Sequence, residues 1–100
     1  MKINIASNEV IHFIGVGGIG MSGLAQIMKN MGFVVQGSDL NANKSTDRLI
    51  KLGIKVNFGH SKKNLKKATM VAVSSAIKKS NKELKESIKK KIMTIKFIVI

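Results

Sequence analysis

The stretch Ile11-His12-Phe13-Ile14-Gly15-Val16-Gly17-Gly18-Ile19-Gly20-Met21-Ser22-Gly23-Leu24-Ala25 constrains this chain more than any other. A short apolar run breaks into closely spaced glycines, and apolar residues then resume at helical spacing. Gly15, Gly17 and Gly20 satisfy G-x-G-x-x-G, the spacing that turns a strand tightly into a helix and faces backbone N–H groups toward a pyrophosphate. The helix N-terminus adds favourable partial charge. A side chain at Gly17 or Gly18 would hold phosphates away from bare main chain. The stretch therefore predicts a nucleotide or dinucleotide site.

The rest of the chain alternates strand and helix patterns. Val10 to Val16 reads as a buried parallel strand, continuous and β-branched. Met21, Leu24, Met28 and Met31 follow at helical spacing, with Gly32 as the stop. Phe33 to Asp39 is a second strand. Thr46 to Leu52 is a helix with Leu49 and Ile50 on its buried side, and Ile54 to Phe58 is a third strand. Lys62 to Lys67 is too charged for a core and predicts a short exposed helix or loop. Thr69 to Val73 is a fourth strand. Ser80-Asn81-Lys82-Glu83 fits a capping box, with the serine hydroxyl capping the first turn and Glu83 reaching back. Leu84 and Ile88 mark that helix's buried face, and about Met93 to Ile100 forms a fifth strand. Met1 to Glu9 is a lead-in of weak strand character. The pattern predicts an α/β fold: a Rossmann-like open parallel sheet of about five strands, helices on both faces and right-handed crossovers.

One hundred residues make one domain, 1–100, large enough to bury a core without disulfides or metal. The chain has no cysteine, which excludes disulfides, thiolate metal sites and cysteine nucleophiles, and two histidines alone do not make a zinc site. Glu9 and His12 interrupt the region where a signal peptide needs a continuous apolar stretch, and no run approaches the ~18 apolar residues of a membrane span. The expectation is a cytoplasmic domain with no membrane partner. The net charge of +13 invites a nucleic-acid reading, but Arg48 is the only arginine and there are four Phe, no Trp and no Tyr. Specific nucleic-acid readers favour arginine forks and stacking aromatics, so the lysines, including the Lys62-Lys63-Lys66-Lys67 cluster, read as a solvated surface.

The candidate polar groups all fall at the carboxyl ends of the expected strands, where open parallel sheets bind ligands. Gly15 to Gly20 follows the first strand, Ser38-Asp39 the second, Gly59-His60-Ser61 the third and Ser74-Ser75 the fourth. Asp39 stands nineteen positions after Gly20, near the separation at which an acidic residue takes ribose hydroxyls. His60 can donate or accept toward a ribose, a base edge or a phosphate. Ser74 and Ser75 either bind phosphate or sugar oxygens or cap the following turn. His12, inside the first strand, reads as structural. No histidine, carboxylate and serine stand in a catalytic order.

The glycine string with its trailing Met21-Ser22-Gly23-Leu24-Ala25, then Gly37-Ser38-Asp39, Gly59-His60 and Ser74-Ser75-Ala76-Ile77, resembles the N-terminal domain of the Mur ligase family, specifically of UDP-N-acetylmuramate–L-alanine ligases. The resemblance covers nearly the whole chain. It implies a domain that holds UDP-N-acetylmuramate for the ATP-dependent addition of L-alanine in peptidoglycan precursor synthesis. Main chain at Gly17, Gly18, Ile19, Gly20 and Met21, assisted by Ser22, would contact the diphosphate; Gly15 belongs to the same substrate site, and Asp39, His60, Ser74 and Ser75 would line the nucleotide pocket. The family's ATP and magnesium belong to a central domain with a G-K-T phosphate loop, and a C-terminal domain helps bind the amino acid. No G-x-x-x-x-G-K-[ST] occurs here, so the expectation is a truncated ligase that binds without turnover and has the missing ligase domains as its other partners. The competing reading, from the glycine loop and Asp39 alone, is an NAD-binding domain of an oxidoreductase or transport regulator.

Overall fold

The computed structural model describes residues 8–98. Its elements alternate along the chain: β1 (Val10–Ile14), α1 (Met21–Asn30), β2 (Val34–Asp39), α2 (Lys44–Lys51), β3 (Lys55–Phe58), a 3-10 turn (Lys62–Leu65), β4 (Met70–Ser74), α3 (Lys82–Lys89) and β5 (Met93–Phe97). The strands form one parallel sheet in the order β3-β2-β1-β4-β5. From β1 the chain steps outward to β2 and β3, then returns to lay β4 on the other side of β1. The order reverses between β1 and β4, which places the ligand crevice of such a sheet at their carboxyl ends.

Strand alternation sorts the core into two layers. Ile11 and Phe13 of β1, with Val35, Met70 and Ala72, face the layer closed by Met21 and Ala25 of α1 and Leu49 of α2. Ile14, Val71 and Val73 face the opposite layer with Leu65 of the 3-10 turn and Leu84 of α3. Helices thus cover both faces, as expected. Leu65 is the exception to the charged-surface expectation for Lys62 to Lys67: the lysines stay outside while Leu65 is buried. The expected end of the fifth strand, Val99 and Ile100, and the lead-in Met1 to Ser7 lie outside the described residues. β5 is an edge strand with Met93 and Ile95 exposed.

Two helices are rolled differently from their apolar pattern. In α2, Thr46 and Leu49 are buried and Ile50 is exposed; in α3, Glu83, Leu84 and Ser87 are buried while Ile88 is 62% exposed. The α3 cap also differs: Asn81, not Ser80, caps the helix, its Oδ1 accepting from Glu83 N and Leu84 N. Glu83 is thereby free of capping, and its carboxylate points into the sheet.

Gly37 marks the closest approach of β2 to the glycine turn. A Cβ there would stand 2.6 Å from Val16 Cβ, a distance that only a shift of the turn relieves. Gly37→Ala is expected to cost about 1–3 kcal/mol as an overpacked site, read as a lowered urea midpoint. An unchanged midpoint would show that Val16 moves freely.

Candidate functional site

The glycine turn is pinned before any ligand arrives. Gly15, at φ +79°, and Val16 both donate their N–H to Ser38 O, at 2.8 and 2.9 Å. Gly18 N donates to Gly15 O, and Met21 N and Ser22 N donate to Gly18 O. Gly17 N donates to Asp39 Oδ2 at 2.8 Å. Two consecutive amides, Ile19 and Gly20, take no acceptor among the described residues. They open the N-terminus of α1, with Gly20 at φ +78° as the residue before the helix. A left-handed turn of this kind forms a concave anion seat from successive N–H groups.

Each sequence-predicted residue can be placed. The requirement for glycine at Gly17 is met inside the protein: a Cβ would lie 2.7 Å from Thr46 Cγ2 and 3.0 Å from Asp39 Oδ2. At Gly18 a Cβ would meet Gly15 O at 3.1 Å, so a side chain there disturbs the turn as well as any ligand. The Met21 side chain is core, and Ser22, nearly buried, accepts from Arg48 at 3.4 Å. Asp39 braces the turn: Oδ2 holds Gly17 N and Oδ1 accepts from Leu40 N at 2.8 Å, and each oxygen keeps a further lone pair for a hydroxyl donor. Ser74 Oγ accepts from Ala76 N at 3.3 Å, the turn-capping role, and Ser75 N donates to Phe97 O at 2.7 Å.

The residue that sequence reasoning missed is Glu83. Its side chain is fully buried and takes five donors: His12 Nε2 (2.6 Å) and Ser38 Oγ (2.6 Å) on Oε1, and Asn64 Nδ2 (2.8 Å), His60 Nδ1 (3.1 Å) and Ser61 N (3.1 Å) on Oε2. One carboxylate so ties β1, β2, the loop after β3, the 3-10 turn and α3 together. Burial alone would push this carboxyl up; the hydrogen bonds from His12, Ser38 and Asn64 outweigh it and bring it down to about 2. Behind His12, Gln36 Nε2 has only acceptors around it: one of its two protons is shared between Asn64 O and Leu65 O, at 2.9 and 3.2 Å, and the other is donated to His12 Nδ1 at 2.9 Å. His12 is therefore the Nε2–H tautomer, a structural residue as expected from its place in the strand.

Beside this knot lies a cavity of about 350 Å³ lined by Leu40, His60, Ala76, Ile77, Lys78, Ser80 and Asn81. A Cβ at Gly15 would touch Ile77 Cδ1 at 3.1 Å, so cavity and glycine turn share the loop after β4. Among the described residues no group of three His, Cys, Asp or Glu could hold a metal ion, and no helix is long and apolar enough to cross a membrane.

An open parallel sheet with a pinned glycine turn at its switch point defines a doubly wound, Rossmann-like domain. The profile of the "Mur ligase family, catalytic domain" matches residues 10–97, and the chain belongs to the Mur ligase family. Among curated relatives, the UDP-N-acetylmuramate–L-alanine ligase of Pelagibacter ubique is 61% identical over 87 residues, covering 87% of this chain and 19% of the relative. That of Rickettsia typhi is 52% identical over 86 residues, covering 86% and 17%. The chain spans about a fifth of the length of these relatives. Among solved structures, the UDP-N-acetylmuramate-alanine ligase of Thermotoga maritima superposes with a TM-score of 0.83 at 32% identity over 86% of this chain and 20% of that one. A UDP-N-acetylmuramate:L-alanyl-gamma-D-glutamyl-meso-diaminopimelate ligase from Neisseria meningitides gives 0.81 at 30% identity, covering 89% and 28%.

Proposed function

We propose that these residues form the UDP-N-acetylmuramate-holding domain of an ATP-dependent, cytoplasmic ligase that adds L-alanine in peptidoglycan precursor synthesis. The observation that carries the reading is the pair of unengaged amides, Ile19 and Gly20, at the start of α1. They suit a diphosphate, while Asp39 at the adjacent strand end suits a ribose. This narrows the diphosphate contacts from the whole Gly17 to Ser22 stretch to its middle, because Gly17, Gly18, Met21 and Ser22 already spend their amides within the protein.

The residues present do not fit ATP and magnesium. No G-x-x-x-x-G-K-[ST] occurs in the chain, and no acidic cluster among the described residues could hold the ion. The role proposed for these 100 residues is to bind and orient the UDP-sugar, with activation of its carboxylate and amine delivery assigned to other ligase domains as partners.

Parallel calorimetric titrations with UDP-N-acetylmuramate and NAD test this. Saturable binding of the UDP-sugar is expected, and binding of NAD alone would replace the reading with a dinucleotide domain. Asp39→Ala removes both the ribose acceptor and the brace on Gly17, so the UDP-sugar affinity is expected to fall roughly tenfold or more. Unchanged affinity would remove Asp39 from the site.

A further inference from the structure

The cavity beside His60 has a hydrogen-bonding polarity set from behind, by Glu83. Proton bookkeeping around His60 leaves one solution. The Ser38 hydroxyl has a single proton, and at 2.6 Å it goes to Glu83 Oε1, a carboxylate oxygen that can only accept. Ser38 Oγ then faces His60 Nδ1 at 3.1 Å with lone pairs only, and Glu83 Oε2 does the same at 3.1 Å. Both neighbours of Nδ1 are acceptors, so Nδ1 carries the proton. In the neutral ring Nε2 is then a bare acceptor. It has no partner among the described residues, yet it is not a buried unsatisfied atom, so it opens to the space that His60 lines.

Resting on the nucleotide reading above, we infer that His60 Nε2 accepts a hydrogen bond from the nucleoside of the ligand, a ribose hydroxyl or the base imide N–H, and that Glu83 is the positioning residue that imposes this tautomer. A phosphate oxygen offers no proton and does not satisfy a bare Nε2. The diphosphate thus belongs to the Ile19 and Gly20 amides and the nucleoside to the His60 side, a division that reads the donor pattern of the nucleoside as well as its charge.

The test is nitrogen-15 NMR of the histidine rings in the full chain, free and with uridine diphosphate. The expected free spectrum has His60 protonated at Nδ1 and bare at Nε2. Uridine diphosphate should then move the Nε2 resonance in the direction of an accepted hydrogen bond. The 2′,3′-dideoxy and N3-methyl analogues distinguish the sources: the analogue that fails to move Nε2 identifies the donor. Glu83→Gln places an amide against Nδ1 and is expected to turn His60 toward the Nε2–H form, with at least a tenfold loss of uridine diphosphate affinity; if that variant does not fold, the wild-type spectra decide alone. An Nε2–H tautomer in the free chain, a ring protonated on both nitrogens in the complex, or both analogues moving Nε2 as uridine diphosphate does would each overturn the inference. Absence of any shift on adding uridine diphosphate would overturn the nucleotide reading and the ligand half of the inference, while the tautomer result would stand by itself.

Discussion

Glu83→Ala is expected to cost about 3–5 kcal/mol, the range for removing one partner of a buried charged network. The loss comes less from the bonds themselves than from what is left behind. His12 Nε2–H, the Ser38 hydroxyl, Asn64 Nδ2 and Ser61 N all lose the acceptor they share, and each buried orphan costs on the order of 1–3 kcal/mol unless water reaches it. A domain of this size has about 5–15 kcal/mol of stability in total, so the variant sits near the threshold of unfolding at 25 °C. With a urea slope of about 1–3 kcal/mol/M, the midpoint should fall by roughly 1–5 M, followed by circular dichroism. Glu86→Ala, on the same helix, is the matched control. Its pairing with Lys90 at 3.6 Å is solvent-facing, the lysine half exposed, and its loss should stay within about 0.5 kcal/mol. A drop at Glu83 no larger than that at Glu86 would show that neighbouring groups or water take over the five donors.

The strand, turn and helix at Gly15 to Ala25 were legible because their signals are local: glycine spacing, an apolar run before it and a 3.6-residue period after it. The sheet followed from alternation of elements, and the family from motifs that each end a strand. Glu83 was not legible as a hub because its partners lie 71 positions away at His12 and 45 at Ser38, whereas Ser80-x-x-Glu83 offered a complete local explanation. Asn81, one position later, takes the cap instead. A signal for the hub did exist. His12 on β1 and Gln36 and Ser38 on β2 share strand parity, and the register sets His12 beside Gln36 and Ile14 beside Ser38. Three polar side chains on one buried face require a common partner, and α3 is the element that covers that face. The same fact explains the roll of α3: bringing Glu83 inward brings Ser87 with it, four residues on, and turns Ile88 out. Ser87 tolerates burial because its hydroxyl donates to Leu84 O at 2.7 Å.

The second large effect is the dependence of stability on acid that Glu83 contributes. Its carboxyl titrates at about 2 in the folded chain against a reference value of 4.5. Between those values the unfolded chain takes up a proton that the folded chain refuses, so stability falls as the pH falls through that window and is independent of this group above about pH 5. The difference corresponds to about 3 kcal/mol. Glu83→Gln removes the titration while keeping the side-chain size, and every other carboxylate is common to both proteins. The stability gap between wild type and Glu83→Gln, from urea titrations at a series of pH values, is therefore expected to be widest above pH 5 and to close by about 3 kcal/mol on approaching pH 2. The rising positive charge of a lysine-rich chain destabilises both proteins in acid, but it acts on them equally and leaves the gap unchanged. A gap that stays constant from pH 6 to pH 2 would mean that the network gives the ionised carboxyl no preference, and a gap that widens as the pH falls from 6 through 4.5 would mean that Glu83 holds its proton in the folded chain. The five donors could not then all be satisfied as the structure shows them, and the tautomer assigned to His60 would fall with the carboxylate that imposes it.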